Sequence, residues 1–299
     1  MTVLVTGLSG FVGAHCARQF AAAVDLELGG RLVDLRNRQE VFEAVKRQPL
    51  QAVIHLAAQS SVPASFDDPM ETYEVNFLGT LNLLLALREA GFRGRFLYVG
   101  SGDMYGVVPE VELPVAESRA LQPRNPYAVS KVAAEALCYQ WSQSGPFEIV
   151  MARPFNHIGP GQSPRFAVSD FARQIEMARK GKNERILQVG DIDTTRDFTD
   201  VRDIVRAYAA LLRAGVNGET YNVCSANELS LREIIVALCA AAGIEMQINV
   251  DPKRLRPVEQ RRMRGSYERL RSRTGWEPGI PLAQTLQDIL NYWHAREDV

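Results

Sequence analysis

Short apolar runs alternate with stretches of helical periodicity through the first half of the chain. The apolar runs cover residues 2–6, 52–56, 95–99 and 148–152. Each run ends close to a turn or a helix start, which is typical of parallel strands that helices cover on both faces. Helical patterns fill residues 12–23, 38–47, 70–90 and 127–144. The alternation predicts a Rossmann-type α/β fold built on a doubly wound parallel sheet.

The composition and pattern of the sequence change after residue 154. Residues 156–166 are rich in Gly, Pro, His and Asn, which predicts a loop over a site. Further helices are predicted at 168–179, 197–213, 230–242 and 282–295, with a strand at 219–223. We assign residues 1–158 and about 197–226 to the sheet-bearing domain. Residues 159–196 and 227–299 are assigned to a smaller α/β C-terminal lobe.

The sequence TGLSGFVG directly follows the first predicted strand and opens the first helix. Glycines there permit a tight turn, close approach of the backbone to a pyrophosphate, and close packing of helix on strand. The helix N-terminus adds amide donors and the positive end of its dipole. A plain tight turn is the alternative, but the strand-before and helix-after context favours a dinucleotide site. The predicted cofactor-binding residues of this turn are Gly7, Ser9, Gly10, Phe11, Val12 and Gly13.

The sequence leaves the choice between NAD and NADP open. A Rossmann NAD site places an acid at the end of its second strand, whereas an NADP site has an arginine nearby. Residues 24–28 are a short candidate for that strand, and neither residue type can be assigned to its end. Asp34, followed by Leu35, is suited to contact an adenine, and a loop-capping role is an equal alternative.

Tyr127 and Lys131 stand four residues apart at a predicted helix start, so both lie on one helix face. A phenol has a pKa of ~10 in water, too high for acid–base work near neutrality, and a nearby ammonium lowers it. Ser101 follows the third apolar run, at the carboxyl edge of the sheet where ligands bind. Each residue alone is commonplace as a surface or cap residue. Their order along the chain predicts a catalytic group in which Ser101 orients the oxygen that Tyr127 protonates.

Composition excludes several other classes of protein. The net charge of −1 creates no overall field for nucleic acid or an anionic membrane. The 4 cysteines form no CxxC pair, which indicates neither a zinc cluster nor a redox dithiol. The N-terminus does not resemble a signal peptide, and no apolar run reaches the ~20 residues of a membrane span. We therefore predict a cytoplasmic protein without a metal ion and without nucleic-acid or membrane partners.

Several stretches resemble the extended short-chain dehydrogenase/reductases, and the resemblance covers essentially the whole chain. These stretches are TGLSGFVG, HLAAQSSV, GSGDMYG, NPYAVSK, RPFNHIGPGQ, RDFTDVRD and RLRPVE. Within that superfamily the chain is most similar to GDP-6-deoxy-4-keto-mannose reductases, with GDP-mannose 4,6-dehydratases as near neighbours. The resemblance implies an NAD(P)H-dependent enzyme with the cofactor in the sheet domain and a GDP-sugar in the smaller lobe. It also implies a homodimer formed through two helices of the main sheet.

The resemblance implies further site residues. Cofactor contacts are expected from Leu56, Ala57, Ala58, Asn76 and Pro154. Substrate contacts are expected from Ser60, Ser61, Asn156, Arg165, Arg196, Arg256 and Glu259, with His157 beside Asn156. Arginine suits a diphosphate because its guanidinium forms a bidentate fork, and Glu259 can accept ribose hydroxyls. For each charged residue a solvated surface position is the alternative.

Asp103, two residues after Ser101, is a fourth catalytic candidate and bears on the choice between reductase and dehydratase. Dehydratases of this superfamily carry Glu at the matching position, as the base for the sugar C5 proton. Aspartate is one methylene shorter, and a misplacement of ~1 Å can cost ~100-fold in rate. We therefore expect reduction of GDP-4-keto-6-deoxy-D-mannose at C4 to a GDP-6-deoxyhexose, GDP-D-rhamnose. A dehydratase or epimerase of the same family is the alternative, and a non-catalytic NAD(P) sensor is another.

Overall fold

The computed structural model describes residues 1–254 and 260–296. Its strands are β1 (Val3–Thr6), β2 (Ala23–Val24), β3 (Glu27–Leu28), β4 (Arg31–Leu32), β5 (Ala52–His55), β6 (Arg95–Val99), β7 (Glu148–Pro154), β8 (Asn156–Ile158), β9 (Ile186–Val189), β10 (Thr195–Asp200), β11 (Thr220–Val223), β12 (Glu228–Ser230) and β13 (Gln247–Val250). Its α-helices are α1 (Phe11–Gln19), α2 (Arg38–Lys46), α3 (Val62–Asp67), α4 (Pro69–Tyr73), α5 (Gly79–Glu89), α6 (Pro126–Ser144), α7 (Ala167–Arg179), α8 (Val201–Ala214), α9 (Leu231–Ala242), α10 (Glu268–Thr274) and α11 (Leu282–His294). A π-helical turn, Glu74–Leu78, joins α4 to α5, and a 3₁₀ helix covers Gly102–Tyr105.

Six strands form one parallel sheet in the order β11-β7-β6-β5-β1-β2. β1 lies between β2 and β5, and β7 lies between β6 and β11. The strand predicted at 219–223 therefore returns to the main sheet, as β11. This arrangement confirms the Rossmann-type fold expected from the alternation of strands and helices.

An apolar core lies on each face of the sheet, because successive strand residues point to opposite faces. In β1, Val3 and Val5 belong to the core that also contains Cys16 of α1 and residues of α8. Leu4 belongs to the opposite core, which is covered by α2, α5 and α6. Strands buried on both faces read as continuous apolar runs, which is why the sequence pattern found them.

The smaller lobe has its own apolar core. Ile175 of α7, Leu238 of α9 and Ile289 of α11 are fully buried there, next to the paired strands β9 and β13. A three-stranded sheet, β12-β10-β8, contributes Ile158 and Phe198 to this core. Leu270 and Trp276 pack in the core of the main sheet, although they lie between α9 and α11 of the lobe in sequence. The bounds of the two predicted domains stay a prediction.

Two of the predicted helices differ from the structure in their bounds. The helix expected over 12–23 ends at Gln19, because residues 23–24 pair with β1 as the edge strand β2. The helix expected over 197–213 begins at Val201, because Asp200 caps its N-terminus by accepting from the Arg202 amide at 2.7 Å. The residues before it, β10, pair with β8 on one side and β12 on the other.

The strand expected over 24–28 is also wrong in its length. After the two residues of β2 the chain forms the hairpin β3–β4. Its turn is made by Gly29 and Gly30, with φ of +62° and +78°. Positive φ at both central residues is the geometry that two-residue hairpin turns require, and glycine adopts it without steric cost.

Candidate active site

The candidate residues meet at the carboxyl edge of the main sheet. The glycine turn follows β1, Leu56–Ala58 follow β5, Ser101 follows β6, and Asn156 follows β7. The carboxyl ends of parallel strands open into the crevice where open α/β sheets bind their ligands. Among the described residues there is no cluster of three or more His, Cys, Asp or Glu side chains suited to a metal ion. Nor does any described helix have the length and apolar character needed to span a membrane.

The glycine turn is sterically closed to larger residues. Gly7 has a φ of +78°, and a Cβ there would lie 3.3 Å from the Ala57 backbone. A Cβ on Gly13 would lie 2.2 Å from the Gly7 carbonyl oxygen and 2.6 Å from Leu8. No side chain caps α1 at Gly10, so the turn leaves the helix N-terminus to a ligand. The turn therefore fits a pyrophosphate, which hydrogen-bonds backbone amides at such a terminus.

Asp25, which no sequence pattern identified, closes the glycine turn directly after β2. Its carboxylate accepts from the amides of Leu8 and Leu26, each at 2.8 Å. Burial raises the pKa of this carboxyl, and the backbone hydrogen bonds act in the opposite direction. Its position at the end of the second strand was the available signal, since Rossmann sites place an acid there. Asp34, the residue singled out from the sequence, forms an exposed ion pair with Arg36, and its contact with an adenine stays a prediction.

Asn76 ties the segment after β5 to helix α6. Its side-chain oxygen accepts from the Gln59 amide at 2.8 Å, and its nitrogen donates to the Gln59 carbonyl at 3.0 Å. The same nitrogen donates to the Ser130 hydroxyl at 2.9 Å, which in turn donates to the Tyr127 carbonyl at 2.7 Å. Asn76 lies in the π-helical turn, and π-bulges frequently occur at functional sites. The predicted cofactor residue thus fixes the start of the helix that carries Tyr127.

Tyr127 and Lys131 lie one turn apart on α6, which begins after Asn125 caps the Ala128 amide at 2.7 Å. Ser101 lies close enough to the Tyr127 phenol to lower its pKa, so the structure places these two predicted residues side by side. The Lys131 amine donates to the Val99 carbonyl at 2.8 Å. The three predicted catalytic residues therefore lie around the carboxyl end of β6, which Val99 ends and Ser101 follows shortly after.

Burial dominates the protonation equilibria of these groups. Desolvation raises the pKa of Tyr127 above its ordinary value, the Asp103 carboxylate raises it further, and the Ser101 hydrogen bond opposes both. Desolvation lowers the pKa of Lys131 to about 8. The sequence analysis expected Lys131 to lower the pKa of Tyr127, and this is wrong for the ligand-free chain. The reason is that the phenol and the amine are both buried, and the amine is directed to a backbone carbonyl.

Asp103 belongs to the 3₁₀ helix that Ser101 caps. Its backbone amide donates to the Ser101 hydroxyl oxygen at 3.2 Å, and its side chain is exposed. Its carboxylate acts electrostatically on the Tyr127 phenol. A carboxylate so placed disfavours the phenolate and keeps the proton on Tyr127.

The other predicted cofactor residues surround the same crevice. Leu56, Ala57 and Ala58 follow β5 and are half-buried, and the Ala57 amide donates to the Thr6 hydroxyl at 3.1 Å. Leu35 is buried in the core under α2 and α5. Pro154 ends β7 and is buried. In the turn, Ser9 and Gly10 are exposed, and Phe11 and Val12 are half-buried.

The predicted substrate residues are more dispersed. Ser60 is exposed, and Ser61 caps α3 by accepting from the Ala64 amide at 3.3 Å. Asn156 is exposed at the start of β8, and Arg165 is exposed in the following loop. Arg196 in β10 donates to the Thr195 carbonyl at 2.7 Å. Their roles stay predictions, and those of Arg256 and Glu259 lie outside the described residues.

His157 was named only beside Asn156, yet it is tied into the glycine-turn helix. Its Nδ1 donates to the Phe155 carbonyl at 2.9 Å, which leaves Nε2 as an acceptor. Its ring lies parallel to Phe11, with 6.1 Å between centroids. The loop after β7 therefore packs on the first residue of α1.

This arrangement suits proton transfer to an oxygen atom beside a bound dinucleotide. The side chains of Ser101 and Tyr127 lie close together in the crevice, and burial of the phenol favours its protonated form. Hydroxyl donors at such a place stabilise charge that develops on a carbonyl oxygen.

Comparison with known proteins gives the same class of enzyme. The family model described as GDP-mannose 4,6 dehydratase matches residues 28–289. A protein of Pseudomonas aeruginosa named GDP-6-deoxy-D-mannose reductase is 48% identical over 299 residues, covering 98% of this chain and 97% of that protein. A GDP-mannose 4,6-dehydratase of Yersinia enterocolitica is 26% identical and covers 86% of this chain and 76% of its own length.

The fold is shared with solved structures over the whole chain. The structure of RMD from Pseudomonas aeruginosa complexed with NADPH superposes with a TM-score of 0.92 at 46% identity and covers 99% of both chains. A UDP-glucose 4-epimerase of Thermus thermophilus in complex with NAD has a TM-score of 0.86 at 31% identity, again with 99% coverage of both.

Proposed function

Because the chain belongs to the GDP-mannose 4,6 dehydratase family, we propose that it is a reductase of that family's nucleotide sugars. It reduces the C4 keto group of GDP-4-keto-6-deoxy-D-mannose with NADPH and yields a GDP-6-deoxyhexose, GDP-D-rhamnose. The observation that carries this proposal is the buried Tyr127 phenol beside Ser101 at the carboxyl edge of the sheet. The 48% identity to a GDP-6-deoxy-D-mannose reductase supports the choice of substrate.

The residues of the crevice fit a nicotinamide dinucleotide. A Cβ on Gly13 would clash with Gly7 and Leu8 and disrupt the glycine turn, whose backbone amides would hold the pyrophosphate. Tyr127 and Lys131 would hold the ribose next to the nicotinamide. When bound, the reduced cofactor supplies the hydride. NADPH is proposed over NADH because the similar RMD structure is complexed with NADPH.

The chain's own residues then handle the proton. Ser101 donates a hydrogen bond to the C4 oxygen and orients the carbonyl. Tyr127 transfers its proton to the same oxygen as negative charge develops there. The phenol is protonated at neutral pH because burial and Asp103 both raise its pKa.

Asp103 supports the reductase over the dehydratase of the same family. A dehydratase needs a base that removes the C5 proton, and Asp103 is a short, exposed side chain whose backbone amide donates to the Ser101 hydroxyl. A carboxylate that keeps the proton on Tyr127 suits reduction, in which the phenol must begin as an acid.

We also propose a homodimer formed through α6 and its neighbours. Val129 and Tyr139 of α6 are 38% and 54% exposed, and Phe66 and Met70 on the adjacent helices α3 and α4 are 61% and 66% exposed. Exposed apolar side chains grouped on packed helices mark interaction surfaces, and a second copy of the chain is the partner that the resemblance implies. Sedimentation equilibrium would measure the molecular mass in solution, which should be twice that of one chain. The cytoplasmic location expected from the sequence stays a prediction.

The proposed reductase activity is tested by measuring how much NADPH is oxidised for each molecule of product formed. Purified protein is mixed with NADPH and GDP-4-keto-6-deoxy-D-mannose, and nicotinamide absorbance and product are followed together. We expect one NADPH oxidised for each GDP-6-deoxyhexose formed, and no change with GDP-mannose. Conversion of GDP-mannose to a 4-keto product without added NADPH would contradict the proposal and assign a dehydratase.

A further inference from the structure

A buried polar cluster lies beneath the Ser101 loop, outside the catalytic group described above. Arg153 and Glu135 form an ion pair whose side chains are 7% and 8% exposed. Arg153 Nε donates to Glu135 Oε2 at 3.0 Å, and Nη2 donates to the other carboxylate oxygen. The Tyr105 hydroxyl accepts from Arg153 Nη1 at 2.8 Å and donates to the Asn222 side-chain oxygen at 2.7 Å. The guanidinium of Arg153, the carboxylate of Glu135 and the hydroxyl of Tyr105 thus all have hydrogen-bond partners within the protein.

The cluster joins the elements that carry the reactive groups. Glu135 stands one helical turn after Lys131 on α6. Tyr105 is the last residue of the 3₁₀ helix that Ser101 caps. Arg153 lies next to the end of β7, at the carboxyl edge of the sheet. A displacement of any one of these three elements would therefore change the hydrogen bonds of the cluster.

The Ser101 loop is packed directly on this cluster. A Cβ on Gly100 would lie 3.4 Å from Glu135 Oε2 and 3.0 Å from the Met104 sulfur. The Ser101 amide donates to that same sulfur at 3.3 Å. The Glu135 carboxylate thus lies directly next to Gly100, and the Met104 sulfur contacts both Gly100 and Ser101.

Stability alone does not account for a charged pair at this place. Apolar side chains of similar volume often replace a buried ion pair at no cost in stability, because desolvation of the two charges offsets their attraction. A fully hydrogen-bonded polar cluster does, however, specify one arrangement of the elements it joins. The hydroxyls of Ser101 and Tyr127 need such an arrangement, since small displacements at a reacting centre lower the rate strongly.

We propose that Arg153, Glu135 and Tyr105 are positioning residues that fix the distance between the Ser101 and Tyr127 hydroxyls. They act through the 3₁₀ helix and α6 and do not contact the reacting atoms. The inference rests on the proposed reductase function and deepens it. It predicts that the cluster controls the rate of the chemical step and leaves the affinity for the cofactor unchanged.

Tyr105→Phe is the most selective test, because it removes one hydroxyl and keeps the ion pair. Single-turnover oxidation of bound NADPH is measured by stopped flow, together with cofactor affinity and melting temperature. We expect the single-turnover rate to fall on the order of tenfold, short of the ~100-fold that a 1 Å misplacement can cause. Glu135→Gln, which leaves the buried Arg153 without its counter-charge, should lower the rate further. If Glu135→Gln does not fold, Tyr105→Phe still decides the question.

Tyr221→Phe is the matched control. Tyr221 is also buried, and its hydroxyl accepts from the Val216 amide at 3.2 Å. Its side chain points to the opposite face of β11 from that of its neighbour Asn222 and so does not touch the cluster. Removal of the hydroxyl should lower stability and leave the single-turnover rate unchanged. Equal rates for the wild type and Tyr105→Phe, or equal losses in both tyrosine variants, would overturn the positioning role. A wild-type protein that does not oxidise NADPH would instead refute the reductase function and, with it, this inference.

Discussion

Strand β7 carries an arginine–glutamate ion pair at each of its ends, and the two pairs differ in burial. At the amino end Glu148 pairs with Arg95 of β6, with side chains 53% and 20% exposed. At the carboxyl end Arg153 pairs with Glu135 of α6, with side chains 7% and 8% exposed. Water screens the first pair and leaves it a small contribution to stability, whereas the second depends entirely on protein partners. The contrast shows that buried polar groups are concentrated at the edge that forms the site.

The carboxyl edge of the neighbouring strands shows the same concentration. His55, the last residue of β5, is 2% exposed and lies between the hydroxyls of Thr6 and Thr80 at 2.8 and 2.9 Å. Burial lowers its pKa to about 3, so the ring is neutral at any working pH. Thr80 donates to the Asn76 carbonyl at 2.6 Å and so continues the network to the π-helical turn. Such hydrogen-bond networks fix the geometry of the groups that they join. An active site requires this fixed geometry more than it requires added stability.

The largest effect is expected from Tyr127→Phe, which removes the proton donor at the carboxyl edge. Turnover with NADPH should fall by about 10²- to 10⁴-fold, the range that general acid–base groups contribute. NADPH affinity should change little, because the glycine turn is untouched. Steady-state kinetics and fluorescence titration measure the two quantities.

The same variant separates an enzyme from a sensor that only binds the cofactor. A sensor does not turn over its cofactor, so the loss of the phenol would leave its ligand binding unchanged and would remove no activity. Retention of most of the wild-type activity in Tyr127→Phe would remove the chemical basis of the proposed mechanism. Ser101→Ala is the companion variant, because it removes the second hydroxyl that faces the same oxygen.

The sequence predicted those parts of the edge that local pattern determines. Four strands of the main sheet, β1, β5, β6 and β7, were found because burial on both faces makes each of them a mostly continuous apolar run. The glycine turn and the spacing of Tyr127 and Lys131 were found because they follow from short-range geometry. Ser101 was expected at the carboxyl edge because it follows a strand, and it lies close enough to Tyr127 to act on the pKa of the phenol.

The parts that depend on distant partners were missed. β10 was assigned to a helix because its pairing partners, β8 and β12, are remote in sequence and its own residues are mostly polar. Asp25 was missed because the second strand is only two residues long. The partner of Arg153 lies 18 residues away on another element, so no sequence pattern identifies the pair.

An intermediate effect is expected from Asp103→Asn, which removes the exposed charge near Tyr127. Asp103 raises the pKa of the phenol, so its neutralisation should lower that pKa. Reduction requires protonated Tyr127, and activity is lost as pH rises through the pKa of the phenol. The alkaline limit of kcat should therefore move to lower pH, with a change at neutral pH within about fivefold, because exposed charges contribute at most ~1 kcal/mol.

The control for this variant is Glu245→Gln, another exposed acid, in the smaller lobe. Its pH–rate profile should match that of the wild type. A profile of Asp103→Asn that moves to higher pH would contradict the electrostatic role. A loss of activity at all pH values without a shift would mean that Asp103 acts on the substrate directly.

The smallest effect is expected from Glu148→Gln at the amino end of β7, and it tests the contrast most directly. The pair with Arg95 is partly exposed, so its loss should lower the free energy of unfolding by less than about 1 kcal/mol. Arg95 also donates to the carbonyls of Leu211 and Leu212 at 3.4 and 3.0 Å, which keeps its guanidinium partnered when the carboxylate is removed. The single-turnover rate should equal that of the wild type, as measured beside urea unfolding. A fall in that rate as large as the one in Tyr105→Phe would show that ion pairs anywhere along β7 control the chemistry, and the distinction between its two ends would not hold.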